Sequence, residues 1–340
     1  MLMCQIDPPV DDTSDASAPR AAAEVSLSKS GALLLLCNRL ASRSSEAPLN
    51  LRIYPEHAAI AQAFMIYGNG QSQPAVVDAV LFLGQLALHT GGLGDAPGAA
   101  ERFFTYLQIF SVTSTSAPSP QSRSLANAHV ARCLHAHPDE AVRLAYIRDT
   151  IEHCPFESVK AAVVGILKDE IIYATTTTTT PTESIFGTGS CLREVFGVLF
   201  PDLEKLLGAS GADDDGSLSD DEELPYPPPS PLAADASAAA AAAAAVKAWA
   251  IFKGIYPRFV ATLNFCLFIL LNADLRRRLS IESEFADKAY DLFLEPVRCR
   301  LDLFKALEQH ETGGSANIIM LIEMNIARVA DVCQSIADEP

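Results

Sequence analysis

Residues 146–170 read Tyr146-Ile-Arg-Asp-Thr-Ile-Glu-His-Cys-Pro-Phe-Glu-Ser-Val-Lys-Ala-Ala-Val-Val-Gly-Ile-Leu-Lys-Asp-Glu170. Leu144, Ile147 and Ile151 fall on one stripe at spacings of three and four. Val159, Val163 and Ile166 do the same further on. That period belongs to an α-helix with one apolar side. Between the stripes stands Pro155, which pushes its predecessor out of the helical region yet fits the opening turn of a new helix. The stretch is therefore two helices joined at Cys154-Pro155. His153 sits at the negative carboxyl end of the first and Glu157 at the positive amino end of the second. Apolar stripes turn inward, which leaves Arg148, Asp149, Lys168, Asp169 and Glu170 exposed or paired at the rim.

The same period runs outward in both directions. Residues 75–90 carry Val76, Val77, Val80, Leu81, Leu83, Leu86 and Leu88, and 99–112 carry Phe103, Phe104, Leu107 and Phe110. Further helices are predicted over 122–137, 139–154, 156–173, 239–256, 258–278, 281–309 and 316–337. Proline and glycine punctuate them at Pro97-Gly98, Pro138, Pro155, Pro181, Pro201, Pro257 and Gly313-Gly314. Strand signals are scarce: the Thr175–Thr180 run lacks an alternating apolar face, and Asn69-Gly70 lies in a polar break. The class is all-α. Short connections and helices apolar on more than one side favour an irregular HEAT-like α-solenoid of antiparallel helix hairpins, although no repeat of fixed period is visible. Residues 1–25 have the Ser-, Pro-, Asp- and Ala-rich composition of a disordered tail. A helical-repeat region is expected over 26–208 and a disordered acidic, proline-rich linker over 209–237. A second helical region over 238–340 is expected to pack on the first. The alanine run 238–245 is expected to extend the helix that carries Trp249.

Forty-two acids against 25 bases leave the 340-residue chain at −17. Seven acids lie in 213–223, so the remainder still counts 35 against 25. Such a surface repels phosphate backbones and anionic lipid, which argues against nucleic-acid and membrane partners and leaves a basic protein surface allowed. The longest apolar run, Phe259–Leu271, is 13 residues, only about 20 Å of helix against a hydrocarbon core of about 30 Å. It reads as a buried core helix. The opening residues resemble neither a secretory signal nor a transit peptide, and the chain has no Asn-x-Ser/Thr sequon; the expected compartment is the cytoplasm, with the nucleus as a second site. Eight cysteines are spread at intervals of 21 to 96 residues without a Cys-x-x-Cys pair. Small buried thiols fit that distribution better than disulfides or zinc.

Candidates for chemistry are few. Gly187-Thr-Gly189-Ser190-Cys191 resembles a phosphate loop only loosely, and a turn with Ser190 capping a helix Cys191–Phe200 explains it better. His129 and Cys133, four apart, share a helix face near His135 and His137, but no second ligand pair accompanies them. A thiol redox enzyme using Cys154, which directly precedes a helix amino end, is a further reading; no resolving cysteine lies near in sequence, and burial beside Phe156 is favoured. No catalytic residue, cofactor or metal is expected. Ser217 and Ser219 stand just ahead of Asp220-Asp221-Glu222-Glu223 and suit an acid-directed kinase.

The run Arg148-Asp-Thr-Ile-Glu-His-Cys-Pro-Phe-Glu-Ser-Val-Lys160, followed by Leu167-Lys-Asp-Glu170, resembles the signature of the glomulin-like family. In fungi that family includes YAP-binding proteins, which hold an AP-1-like oxidative-stress transcription factor, and a kinetochore-associated branch. The close resemblance covers the 25 residues 146–170. It implies a HEAT-like α-solenoid that acts by binding, as glomulin does when it masks the RING subunit of a cullin ubiquitin ligase. It marks Arg148, Asp149, His153, Cys154, Pro155, Lys168, Asp169 and Glu170 as signature positions. The implied function is a scaffold for a protein with a basic surface: a stress transcription factor, a RING subunit or a kinetochore component.

Overall fold

A computed structural model describes residues 27–42, 51–66, 73–95, 100–177, 184–208, 231–281, 283–312 and 318–337. Among them there is no β-strand; one isolated bridge joins Tyr54 and Gly94. Everything else of regular form is helical, as the apolar spacing predicts. The chain divides into two compact units, Met1–Arg143 and Leu144–Pro340.

The first unit contains α1 (Lys29–Ala41), α2 (Glu56–Ala61) with a π-helical turn Gln62–Ile66, α3 (Pro74–Thr90), α4 (Ala100–Ser116) and α5 (Pro120–His135). The start of α6 (Glu140–His153) also belongs to it. Starts follow from local chemistry: Ser28 Oγ accepts from the Gly31 N–H at 3.0 Å, while Ser119 and Pro120 open α5. Alternate helices pack on each other, α1 on α3 and α3 on α5, with α4 against α5. Stacked helix hairpins give that pattern. The core holds Val76, Val80, Leu83, Phe103, Leu107 and Phe110, the residues of the two predicted stripes.

The second unit holds the rest of α6, then α7 (Glu157–Thr177), α8 (Gly189–Leu199), α9 (Leu203–Gly208), α10 (Pro231–Leu271) and α11 (Ala273–Arg278). After α12 (Ser283–Ala289) a π-helical turn Tyr290–Leu294 leads into α13 (Glu295–Arg298), α14 (Leu301–Thr312) and α15 (Ile318–Ala337). Helix α10 is its axis. It packs most extensively on α7, and also on α15, α9 and α14.

Three sequence expectations change here. First, Pro257 does not divide 239–256 from 258–278: α10 runs through it, and the break comes instead at Asn272, whose Oδ1 accepts from the Leu275 N–H at 3.0 Å to open α11. An interior proline costs a helix about 3 kcal/mol. One fully buried aromatic side chain returns about 1.5–3 kcal/mol, and Trp249, Phe252, Phe259 and Phe265 are all buried on α10. Packing wins. Second, α10 starts at Pro231, inside the stretch expected to be linker up to 237. Proline suits a first turn and the alanines after it propagate a helix well. Third, the single helix expected over 281–309 is broken into α12, the π turn, α13 and α14. Pro296, unweighed in the punctuation, lacks the N–H that a continuous helix would use.

Over Ala240–Leu271 the helix is long and apolar enough to cross a membrane by length and composition, so the length argument made for Phe259–Leu271 does not hold. What supports a core role is contact: Phe252 stacks on Phe304 with centroids 5.1 Å apart, and Phe259 stacks on Phe293 at 4.8 Å.

Candidate functional site

The signature segment occupies the end of α6, a three-residue turn and α7. Its apolar stripes are buried as expected: Leu144, Ile147 and Ile151 on α6, and Val159, Val163 and Ile166 on α7. At the turn the side chains face water. Arg148 Nε lies 3.8 Å from Glu152 Oε2, Asp149 Oδ1 lies 3.3 Å from His153 Nδ1, and Phe156 is 41 % exposed. Pro155 is exposed, while Cys154 is half-buried rather than buried. The thiol of Cys154 points to the Phe156 carbonyl at 3.9 Å, which is a structural contact at the margin of hydrogen bonding.

The other end of the signature behaves differently. Asp169 is exposed, but Lys168 reaches across to α10, its ammonium 5.6 Å from the centre of the Phe268 ring, a cation–π distance. Glu170 was expected at the rim and is instead only 3 % exposed. Helix α10 covers α7, so a position three residues beyond Leu167 turns into the core. The signature is thus partly a surface and partly a seam.

Glu157, which opens α7, marks that seam. Its carboxylate lies 3.2 Å from Lys160 Nζ and 3.2 Å from Arg258 Nε on α10. Lys160 and Arg258 are both buried. Next to Pro257, where the helix has lost one backbone bond, the Arg258–Glu157 pair ties α10 to the amino end of α7.

The first unit contains a buried polar chain that the sequence shows only in part. His57 on α2 places Nε2 at 2.8 Å from the Val80 carbonyl and Nδ1 at 2.8 Å from the Tyr106 hydroxyl. That hydroxyl lies 2.6 Å from His129 Nε2, and Cys133 Sγ is 3.4 Å from the same nitrogen. A carbonyl only accepts, so neutral His57 carries its proton on Nε2 and takes the Tyr106 O–H at Nδ1. Tyr106 oxygen then accepts from His129 Nε2–H. Burial lowers His57 to about 4; burial, helped by His57 and Arg132, holds His129 well below the ordinary histidine value. Both are therefore neutral at pH 7. Burial also pushes the Tyr106 hydroxyl and the Cys133 thiol upward. These groups fix four helices in one arrangement. Gly84 on α3 makes room: a Cβ there would stand 2.6 Å from His129 Cε1 and 2.8 Å from His57 Cε1.

The pairing of His129 with Cys133 was legible from their spacing of four, whereas His57 and Tyr106 were not. His57 sits on a short helix with no stripe, and Tyr106 stands among the apolar residues of α4. Among the described residues, no three His, Cys, Asp or Glu side chains are placed to hold a metal ion.

Other candidates also find their places. Ser190 does not cap: α8 begins at Gly189, and the Ser190 hydroxyl bonds Thr188 Oγ1 at 2.6 Å. Cys133, Cys191 and Cys266 are buried, Cys37 is half-buried and Cys299 is exposed. Ser217 and Ser219 lie outside the described residues.

A search among curated proteins finds no match to the chain. Residues 16–326 match the family model described as "Uncharacterised protein family, YAP/Alf4/glomulin", whose short title names the kinetochore. The likeness first visible in 146–170 therefore spans nearly the whole sequence, and the chain belongs to the YAP/Alf4/glomulin family.

Proposed function

We propose that the chain is a non-catalytic protein-binding regulator, acting in the cytoplasm and nucleus, whose partner is a transcription factor of the oxidative-stress response. One observation carries the binding role: the match over residues 16–326 to a family of glomulin and YAP type. A helical scaffold offers such a role a broad surface rather than a reaction centre. The buried histidines, tyrosine and cysteine of the first unit bond one another and the Val80 carbonyl, with His129 Nδ1 buried and without a hydrogen-bond partner among the described residues. A charge of −17 favours a partner with a basic face, because opposite potentials speed encounter and suppress wrong partners. Phosphates on Ser217 and Ser219 would strengthen that attraction.

A second reading has a RING subunit or a kinetochore component as the partner; the family's short title, which names the kinetochore, favours the latter. Affinity capture of the full chain from its native cells, with and without peroxide, separates the two. Enrichment of a basic transcription factor that changes with peroxide supports the first. Enrichment of a RING or kinetochore protein, indifferent to peroxide, supports the second. Recovery of nothing above background defeats both.

A further inference from the structure

Residues 276–281, Arg276-Arg-Arg-Leu-Ser-Ile281, close α11 and form the loop behind it. Ser280 is exposed, and so are Arg277 and Arg278. Among the described residues, Ser280 is also the one residue other than glycine with a left-handed backbone, at φ +51°. Its N–H donates to the Arg277 carbonyl at 3.3 Å and the Ile281 N–H to the Arg276 carbonyl at 3.0 Å, the paired bonds of a helix end closed by a left-handed residue. The chain thus leaves α11 at an exposed serine.

Of all the serines and threonines in the chain, Ser280 alone has an arginine both two and three residues before it, and the apolar Ile281 follows it. An arginine-directed serine kinase reads that pattern. Its carboxylates pair with the two guanidinium forks, and the residue after the serine enters an apolar pocket. Recognition uses fixed positions rather than net charge, and the acids Asp274, Glu282 and Glu284 stand outside residues 277–281. The kinase class is the opposite of the acid-directed one that suits Ser217 and Ser219. What the fold sets against it is limited. Arg277 pairs with Asp274 inside α11, and Arg278 Nη1 donates to the Thr175 carbonyl at 2.7 Å; exposed contacts of this kind hold little. Leu279 is buried, and its carbonyl oxygen lies so close to α8 that a Cβ on Gly189 would come within 2.2 Å of it. A kinase takes its substrate extended, so Leu279 has to lift with its neighbours. Helix α11 has six residues, too few to hold as a helix unaided, and so short a segment opens as a local unit.

We propose that Ser280 is a phosphorylation site of an arginine-directed serine kinase. ATP is the donor. The bond between Ser280 Oγ and the γ-phosphorus forms, the bond from that phosphorus to the oxygen leaving with ADP breaks, and the hydroxyl proton passes to the kinase's catalytic aspartate. The product carries a charge of about −1.5 to −2 at the carboxyl end of α11. The site stands whichever partner the chain holds.

The test incubates the folded full chain with ATP and the catalytic subunit of cyclic-AMP-dependent protein kinase, an arginine-directed enzyme, and locates the phosphate by tandem mass spectrometry. Incorporation on Ser280 is the expected result, and Ser280→Ala should abolish it. Arg277→Ala changes one exposed side chain, so its thermal midpoint should stay put while the rate of incorporation falls about tenfold or more. A free peptide of residues 273–285 serves as the unfolded control. A peptide that accepts phosphate while Ser280 of the folded chain does not would mean that the fold withholds the serine, and it overturns the proposal. Phosphate on other residues alone, or an unchanged rate in Arg277→Ala, overturns it as well. In the chain purified from its native cells under phosphatase inhibitors, the Ser280 phosphopeptide should be present; a Ser280 peptide found only unmodified counts as refutation.

Discussion

His57 shows how much of this molecule depends on single buried polar groups. Nε2 donates to a backbone carbonyl and Nδ1 accepts from a tyrosine, so the ring cannot take up a second proton, which would have to enter at Nδ1, without losing the Tyr106 bond. In the fold its pKa is lowered to about 4 from 6.5, so between these values the unfolded chain takes up a proton that the folded chain refuses. Stability is then complete above the unfolded value and drains away as the pH falls toward the folded one. For His57 alone the loss between pH 7 and pH 5 is roughly 2 kcal/mol, and His129 acts in the same direction. Urea unfolding of wild type and His57→Gln at the two pH values checks this. The variant should be less stable at pH 7 by about 1–3 kcal/mol and lose markedly less on acidification. Parallel losses in both proteins would place the acid sensitivity elsewhere.

At the scale of elements, α7 and α10 carry the account. The amino end of α7 presents Glu157 to two buried cations, Lys160 of its own first turn and Arg258 of α10. Removing the acid strands both. Glu157→Gln is expected to cost about 2–4 kcal/mol, read as a fall in the denaturation midpoint with an unchanged slope; a cost under about 0.5 kcal/mol would mean that the pair is no more than a surface contact. Helices α3 to α7 were legible because apolar residues at three-to-four spacing coincide with break signals such as Pro138 and Pro155. Helix α10 was not, since Pro257 is a local stop signal that tertiary burial of Phe252 and Phe259 overrides. Pro296 acts in the opposite sense, where no comparable run of buried aromatics spans the break. Glu170 was misplaced for a different reason: it stands four residues beyond Ile166, on the same stripe as Val159 and Val163, and its charge outweighed that spacing in the sequence reading although the position is buried.

At the scale of the whole molecule, the chain forms two helical units, and membership of a glomulin- and YAP-type family suggests the holding of another polypeptide. On the proposed reading of a partner with a basic face, the surplus of acids makes that encounter strong at low salt and weaker as the Debye length shrinks. Sedimentation velocity of the purified full chain, mixed with each purified protein that affinity capture recovers, tests this most directly. The account predicts a discrete faster-moving complex with at least one of them, which loosens as salt rises from about 0.05 to about 0.5 M. A chain that sediments alone in every mixture at low salt would contradict it.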